Sequence, residues 1–201
     1  MSGTSVDGVD VALIEPDGER VTAHGPALTV PYDDQTRRTI RAAFGAERPD
    51  EITQAAERAV TDAHLQAVRR WSAETGQAIA SLDVVGFHGQ TVTHRPERRF
   101  TWQLGDGAAL ARALGVRVVN DLRSADVTAG GQGAPLVPIY HAALVRDLPR
   151  PVAVVNVGGV ANVTWIGAEG ELLALFIIRQ AGILEVKAGG WDYPVPMEIY
   201  R

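Results

Sequence analysis

The 201-residue chain contains no cysteine, which excludes a disulfide framework and any metal site built on thiolates. Lysine is almost as rare, because Lys187 is the single lysine among 19 basic residues. The formal net charge is −5, whereas a protein that binds nucleic acid non-specifically needs a basic surface. We therefore exclude nucleic acid as a general partner and expect a small-molecule ligand.

The sequence also lacks an apolar run as long as a membrane span. In residues 1–5, Met-Ser-Gly-Thr-Ser, no basic segment precedes an apolar one, so we expect no signal peptide. Together with the absence of cysteine, these features predict a cytoplasmic protein with no membrane partner. A hydrophobic content of 46% is ordinary for a globular protein that buries a core.

Strand-like and helix-like segments alternate along the chain, and this alternation predicts an α/β architecture. Strands are expected at residues 9–15, 21–30, 82–87, 100–104 and 116–119. Aspartate favours the start of a helix and glycine its end. Helices are accordingly expected after Asp33 or Asp34, from Asp50 to Gly76, and from Asp106 to Gly115.

The long central helix of this prediction has an apolar face with steps of three and four residues. That face consists of Ile52, Ala56, Ala59, Ala63, Ala67 and Trp71. Three histidines, His24, His64 and His141, have no partner motif nearby. We expect them at the surface or on helix faces.

Residues 122–138 form a glycine-rich loop whose composition suits a ligand site better than a core element. Gly130, Gly131 and Gly133 permit left-handed backbone and close approach, and the charged residues Arg123 and Asp126 precede them. A strand leads into the loop and an apolar, helix-like run leaves it, which is an arrangement that presents backbone N–H groups to an anion or a sugar. A plain surface turn is the alternative.

Residues 2–13 and 152–166 echo each other, because each places a turn of small residues before a strand. Two such hairpins can clamp a phosphate chain between two domains, although two unrelated turns would give the same pattern. Prolines at residues 148–151 mark a connector. We therefore predict a first α/β domain over residues 1–148, the opening β-hairpin of a second domain over 151–174, and a compositionally divergent tail over 175–201.

Five blocks carry a family resemblance. In chain order they are Met-Ser-Gly-Thr-Ser-Val-Asp-Gly-Val-Asp at 1–10, Gly-Phe-His-Gly-Gln-Thr-Val-Thr-His-Arg-Pro at 86–96, Gln-Leu-Gly-Asp-Gly at 103–107, Asn-Asp-Leu-Arg-Ser-Ala-Asp at 120–126 with Gly-Gly-Gln-Gly-Ala-Pro-Leu-Val-Pro at 130–138, and Asn-Val-Gly-Gly-Val-Ala-Asn-Val-Thr at 156–164. The chain resembles anhydro-N-acetylmuramic acid kinase over residues 1–174. The resemblance implies an actin-like, ribonuclease H-like ATPase fold, with ATP between two α/β domains.

The same resemblance implies an ATP site on the first and last blocks. Its residues are Gly3, Thr4, Ser5, Val6, Asp7, Gly8, Val9, Asp10, Asn156, Gly158 and Gly159. Asp7 and Asp10 would arrange Mg²⁺ through water, since Mg²⁺ prefers oxygen ligands and keeps several waters. The alternative role of these two carboxylates is to cap a turn.

The implied sugar site lies on the middle blocks. Its residues are His88, Gln90, Asp121, Arg123, Asp126, Gly130 and Gly131. The planar guanidinium of Arg123 suits the lactyl carboxylate of the sugar, and an ion pair with Asp121 or Asp126 is its alternative role. A metal pair of His88 and His94 is disfavoured, because no third ligand is evident.

The implied reaction opens the anhydro ring with water and transfers the ATP γ-phosphoryl group to the freed O6, giving N-acetylmuramic acid 6-phosphate for peptidoglycan recycling. Two departures affect this expectation. A strand that precedes the first block in the family is missing, and Leu-Leu-Ala-Leu-Phe-Ile-Ile at 172–178 stands where the family has Asp-Thr-Gly-Pro-Gly-Asn. The aspartate of that block is taken as the catalytic base, so no catalytic residue is assigned.

Three functional hypotheses follow. The first is the kinase, with most of its second domain absent. Its oligomeric state is left open, and a homodimer is one alternative. The second is a non-catalytic remnant of the kinase, favoured by the missing aspartate block. The third is another actin-like ATPase, disfavoured because the His-Gly-Gln-Thr and Gly-Gly-Gln-Gly-Ala-Pro segments are typical of sugar kinases.

Overall fold

The computed structural model describes residues 2–157, 161–180 and 183–188, and these residues fall into two compact units, within 1–133 and 134–201. The predicted apolar helix after the glycine loop belongs to the second unit. The domain boundary at residues 148–151 stays a prediction. Among the described residues, no helix has the length and apolar character needed to cross a membrane.

The first unit alternates strands and helices, as the α/β prediction requires. Its strands are β1 (Gly8–Pro16), β2 (Val21–Pro31), β3 (Val85–Gly86), β4 (Gln90–Arg95), β5 (Phe100–Leu104) and β6 (Val118–Val119). Its helices are α1 (Asp34–Ala42), α2 (Glu51–Thr75), α3 (Gly107–Leu114) and α4 (Ser124–Ala129). β1 and β2 pair antiparallel, as do β4 and β5, whereas β3 and β6 are parallel.

The helix boundaries follow the predicted caps. The Asp33 side chain accepts a hydrogen bond from the Thr36 amide at the start of α1. Asp50 and Thr53 form a reciprocal capping box at the start of α2, with N···O distances of 2.7 and 2.8 Å. The Asp106 side chain accepts from the Ala109 amide at the start of α3. Local side-chain chemistry therefore sets where each helix begins.

Two local predictions were wrong. The expected strand at 82–87 is reduced to the two residues of β3, because only Val85 and Gly86 pair with the neighbouring strand β6. The glycine loop also contains a short helix, α4, that the composition did not indicate. Asp121 accepts from the Ser124 amide at its start, and Gly130 ends it in the left-handed conformation.

The core of the first unit brings the start of β1, helix α2 and the end of β3 together. Its buried members are Val6, Val9, Tyr32, Ile40, Val60, Ala67, Phe87 and Leu110. The predicted face of α2 is only partly right, because Ile52 is exposed whereas Val60 and His64 are buried. α2 packs against β1, β2, α1 and α3, so its buried arc is wider than one apolar stripe.

In the described part of the second unit, a helix precedes an antiparallel sheet. Helix α5 spans Val137–Leu144, and the strands β7 (Val152–Val157), β8 (Ala161–Ile166), β9 (Leu172–Gln180) and β10 (Ile183–Ala188) pair in the order β10-β9-β8-β7. β7 and β8 pair antiparallel over the two arms of the predicted hairpin. His141, expected at the surface or on a helix face, lies on α5 and is buried, with its Nδ1 2.8 Å from the Thr164 hydroxyl.

Candidate functional site

The loop before β1, residues 2–7, carries the first predicted ATP-binding residues. A turn closes it through a hydrogen bond from the Val6 amide to the Gly3 carbonyl. Val6 is completely buried in the core but has a φ of 52°, a left-handed conformation that is unusual for a β-branched residue. The core therefore holds the base of the loop, while Gly3, Thr4 and Ser5 are exposed.

The carbonyl groups of Ser5, Val6 and Asp7 each accept a hydrogen bond from outside the loop. The Arg37 Nε donates to the Val6 carbonyl at 3.0 Å, and the Arg41 Nη2 donates to the Ser5 carbonyl at 3.2 Å. The Tyr32 amide donates to the Asp7 carbonyl at 3.0 Å. The carbonyl oxygens of the last three loop residues, Ser5, Val6 and Asp7, are therefore all hydrogen-bonded.

The amide groups of the same loop are left available. The backbone N–H groups of Thr4, Ser5 and Asp7 have no acceptor within the part of the chain that the structure describes. Successive unpaired N–H groups in a turn form a concave surface that attracts anions. The geometry is therefore suited to phosphate oxygens, which is the chemistry expected of this block.

A buried chain of hydrogen bonds ties this loop to the start of β4. The Tyr32 hydroxyl donates to Ser2 Oγ at 2.8 Å, and Ser2 Oγ donates to Gln90 Oε1. Gln90 is completely buried and its Nε2 donates to the Thr91 carbonyl at 3.2 Å. Burial raises the pKa of Tyr32, so its hydroxyl stays protonated as the donor. In this structure Gln90 anchors the loop, and its role as a sugar contact stays a prediction.

A small pocket opens beside the end of β3. It is lined by Phe87, His88, Gly89, Gln103, Gly105, Asn120 and Asp121. Gly89 has a φ of 69°, and a Cβ placed on it would lie 2.5 Å from the Leu104 carbonyl oxygen. Gln103 Oε1 is buried and, within the described residues, has no hydrogen-bond donor. The pocket therefore offers a carbonyl acceptor beside two predicted sugar-binding residues, His88 and Asp121.

Arg123 and His88 form the polar centre next to this pocket. The Arg123 Nε and Nη2 lie 3.1 and 2.9 Å from His88 Nε2, and Nη1 donates to the Gly133 carbonyl. His88 Nδ1 lies 2.9 Å from the Gly89 carbonyl, so Nδ1 carries the proton and Nε2 accepts. Burial first, and then the Arg123 guanidinium, lowers the pKa of His88.

The alternative ion pair of Arg123 is absent. Within the described ranges, no carboxylate lies within 4.0 Å of its guanidinium. Burial lowers the pKa of Arg123, yet an arginine stays charged at neutral pH. Arg123 is thus a half-buried cation without a carboxylate partner, which suits it to an anionic ligand.

Asp126 holds the glycine loop together. Its Oδ2 accepts from the Gly133 amide at 2.6 Å, and its backbone carbonyl accepts from the Gly131 amide at 2.8 Å. Gly130 ends α4 and is exposed. The structure therefore places Asp126, Gly130 and Gly131 in one loop with Arg123, where Asp126 has a structural role and its sugar contact stays a prediction.

The two predicted magnesium residues lie where the first loop meets β1. Asp7 is the last residue of the loop, and Asp10 belongs to β1. Asp7 and Asp10 are both exposed, and Asp10 Oδ1 accepts a hydrogen bond from the Thr29 hydroxyl at 2.7 Å. Gly8 and Val9, between them, belong to β1 and are buried. No three histidine or acidic side chains converge as a metal site in the portion of the chain described.

The metal pair of His88 and His94 finds no support, because each ring nitrogen that faces the protein already has a partner. His94 Nδ1 lies 2.9 Å from the Thr101 hydroxyl, and Arg123 occupies His88 Nε2. A guanidinium at this distance repels a cation. Burial first, and then Arg123, lowers the pKa of His94 as well.

The last predicted ATP residues lie in the second unit. Asn156 belongs to β7, opposite Asn162 of β8, while Gly158 and Gly159 lie outside the described residues. The apolar segment at 172–178 forms most of β9, which pairs with β8 along its length. The role of Asn156, Gly158 and Gly159 as ATP contacts stays a prediction.

Four residues of the site were missed from the sequence. Arg37 and Arg41 lie four positions apart on α1, and Gln103 and Asn120 line the pocket. The spacing of the two arginines indicates a shared helix face. What that face contacts depends on tertiary packing, so the sequence carries no signal for it.

Comparison with known proteins gives a consistent result. The family model for anhydro-N-acetylmuramic acid kinase matches residues 1–176. A curated protein of that name from Rhizorhabdus wittichii is 56% identical over 181 residues, which cover 87% of this chain and 50% of the relative. Proteins of the same name from Paramagnetospirillum magneticum and Rhodospirillum rubrum are 56% and 57% identical, and the matches cover 87% and 85% of this chain and 48% and 45% of the relatives. The chain spans about half the length of the curated relatives it matches.

Proposed function

The chain belongs to the anhydro-N-acetylmuramic acid kinase family. We propose that its function belongs to the ATP-dependent conversion of 1,6-anhydro-N-acetylmuramic acid to N-acetylmuramic acid 6-phosphate in peptidoglycan recycling, and that these 201 residues alone bind the two ligands without turning them over. In this proposal residues 2–10 bind the phosphates of ATP, and the loop around Arg123 binds the sugar. An actin-like arrangement of two domains, a cytoplasmic location and a homodimer are further parts of the proposal.

The phosphate role rests on the orientation of the peptide units in residues 3–7. The carbonyl groups of Ser5, Val6 and Asp7 accept hydrogen bonds from α1 and from Tyr32, whereas the N–H groups of Thr4, Ser5 and Asp7 have no acceptor in the described part of the chain and can donate to an anion. Backbone donors that are already oriented need no reorganisation when charge develops on a phosphoryl group. This pre-arranged loop is the observation that carries the nucleotide half of the proposal.

In this proposal Asp7 and Asp10 would help to hold Mg²⁺ through water. Both carboxylates are exposed and supply the hard oxygen ligands that Mg²⁺ prefers. Bound Mg²⁺ would neutralise charge on the phosphates. The chain's own contribution is to hold Asp10 in position through the Thr29 hydroxyl.

The sugar role rests on Arg123. Its guanidinium is oriented by His88 and by the Gly133 carbonyl but lacks a carboxylate partner in the described part of the chain. The lactyl group of the proposed sugar supplies a carboxylate, which a planar guanidinium binds through two parallel hydrogen bonds. Specificity for a muramic acid over an uncharged amino sugar follows from this pairing.

The step that activates water needs a carboxylate base, and β9 offers none at residues 172–178. This observation favours the second candidate function, in which the chain binds both ligands without turnover. Among the predicted site residues, Asp121 and Asp126 are the carboxylates nearest the sugar loop. They are the first candidates for a substitute base if transfer occurs.

The test combines binding with turnover. The purified chain is titrated with Mg-ATP and with the anhydro sugar by calorimetry, and then incubated with both and γ-labelled ATP. We expect both ligands to bind and no labelled sugar phosphate to form. Labelled sugar 6-phosphate above a no-enzyme control would support the full kinase, whereas ATP hydrolysis without sugar would support the actin-like ATPase. Failure of both ligands to bind would remove the proposal.

A matched pair of variants tests the sugar half. Losing one charge-assisted hydrogen bond costs about 1.5–3 kcal/mol, so Arg123→Ala should weaken sugar binding about 10- to 150-fold and leave ATP binding unchanged. Arg117→Ala removes the same charge from an exposed position whose Nε contacts the Asp83 carbonyl. Equal effects of the two substitutions would remove Arg123 from the site.

A further inference from the structure

Helix α1 carries the contacts that hold the loop at residues 2–7 in its unusual conformation. A left-handed φ at a β-branched residue costs free energy and persists only where the surroundings impose it. Val6 has that conformation, and the carbonyls of Ser5 and Val6 each accept one hydrogen bond from an arginine of α1. The conformation of the loop therefore depends on a helix outside all five resemblance blocks.

Arg37 contributes the more central of these contacts. Its Nε donates to the Val6 carbonyl at 3.0 Å, and its Nη2 donates to the Tyr32 carbonyl at 3.4 Å. The side chain is about one-third exposed, at 33%, and its Nη1 lies 3.7 Å from the Asp34 carboxylate. One guanidinium thus joins the loop to the end of β2.

Arg41 lies one helical turn further on and reaches the neighbouring peptide. Its Nη2 donates to the Ser5 carbonyl at 3.2 Å, and the side chain is otherwise exposed. Ile40, which is completely buried, fixes the rotation of α1 against the core. The helix therefore presents two guanidinium groups to two successive carbonyls.

These contacts have two consequences for an anion on the other side of the loop. Because the peptide bond is planar and trans, holding the Val6 carbonyl also holds the Asp7 N–H, which belongs to the same peptide unit and points the opposite way. The Ser5 contact likewise holds the Val6 N–H, which closes the turn onto the Gly3 carbonyl. The two guanidinium charges add a positive potential behind the loop. Orienting a peptide unit requires direct contact between the guanidinium and the carbonyl, whereas the electrostatic potential of a charge acts without contact. The two effects are therefore separable by experiment.

We propose that Arg37 and Arg41 are positioning residues of the nucleotide site, which keep the turn at residues 3–6 closed and hold the Asp7 amide in the orientation that binds the phosphates of ATP. The inference rests on the proposed function of this loop as the ATP phosphate site. Neither guanidinium touches the nucleotide, and each acts through the carbonyl that it engages.

Arg38 provides a matched control. It lies on the same helix between the two proposed residues, it is exposed, and its Nη2 contacts the Gln35 side chain rather than the loop. Replacing any of the three arginines by methionine removes one charge and keeps an unbranched side chain. A difference between Arg41→Met and Arg38→Met therefore reports contact with the loop rather than net charge.

The experiment has two arms on the 201-residue chain. In the first, amide hydrogen exchange without nucleotide compares the Val6 amide, which is buried and donates to the Gly3 carbonyl, in the three variants. We expect Arg37→Met and Arg41→Met to speed exchange there, while Arg38→Met does not. In the second, calorimetry measures the Kd for Mg-ATP, which should rise about tenfold in Arg41→Met, as loss of an oriented donor set implies, and less than twofold in Arg38→Met.

The outcomes separate the inference from the function on which it rests. Equal Kd values in Arg38→Met and Arg41→Met, or unchanged exchange in the loop, would overturn the positioning role. If wild-type protein does not bind Mg-ATP, the proposed nucleotide function fails, while faster exchange would still support control of the loop by α1. Arg41 is exposed, so Arg41→Met remains informative even if Arg37→Met does not fold.

Discussion

Lowering the pH should destabilise this protein through His64. The side chain lies on α2, is buried with 4% of its surface exposed, and makes an edge contact with the Phe87 ring at 4.8 Å. Its Nδ1 lies 2.7 Å from the Val60 carbonyl, and Nε2 has no partner among the residues that the structure describes. Protonation would therefore place an N–H⁺ donor in the core without an acceptor.

Burial lowers the pKa of His64 from 6.5 to about 4, and the Val60 carbonyl opposes the shift only in part. A lowered pKa means that the folded state binds fewer protons than the unfolded state between pH 6.5 and pH 4. Stability is thus fully present above pH 6.5 and falls as the pH drops through this window. The shift corresponds to about 3 kcal/mol in the free energy of unfolding.

Urea unfolding followed by circular dichroism at pH 7, 5.5 and 4 measures this loss. His64→Gln removes the buried imidazole, so its stability should fall about 3 kcal/mol less over the same interval than that of wild type. His24→Gln is the matched control, because His24 is exposed on β2, and its profile should follow wild type. Parallel profiles for wild type and His64→Gln would refute the reasoning.

Three further predictions concern single contacts. Gly89→Ala should lower the free energy of unfolding by about 3 kcal/mol or more, because the added Cβ meets a backbone carbonyl. Gly76→Ala, at a similar φ of 74° but with open space around the Cβ, should lower it by about 1 kcal/mol. Urea unfolding of the two variants compares these losses. Asp50→Ala should cost about 1 kcal/mol through loss of the capping box, and an unchanged midpoint would contradict this. Arg123→Ala should raise the pKa of His88, because the guanidinium charge that disfavours the imidazolium is removed. NMR titration measures this pKa, with the pKa of His141 as the unchanged reference.

The features that the sequence predicted correctly depend on neighbouring residues. Asp50 and Asp106 cap helices because the acceptor and the amide donor lie three residues apart, and this geometry does not need the rest of the fold. The hairpin arms at β7 and β8 likewise follow from alternation and a short connection. Such local rules set most element boundaries of the first unit.

The features that were missed depend on distant residues. Arg37 contacts a carbonyl 31 positions away, and Arg123 contacts an imidazole 35 positions away. The sequence left His64 as a surface or helix-face residue, because the burial of α2 comes from several separate elements and not from its own periodicity. The motifs in the sequence indicated which residues form the loops. The distant residues that contact those loops became visible only in the fold.

The hydrogen-bonded series Tyr32–Ser2–Gln90 constrains how this sequence can change. The Ser2 hydroxyl has one proton, which it donates to Gln90 Oε1, so it must accept from Tyr32. A substitution of Ser2 alone to alanine strands a buried phenol and a buried amide oxygen, and each stranded group costs about 1–3 kcal/mol. Tolerated replacements must therefore come as a set, for instance Ser2→Ala with Tyr32→Phe and Gln90→Met. We therefore expect the three positions to change together, although Ser2 and Gln90 are 88 positions apart in the sequence.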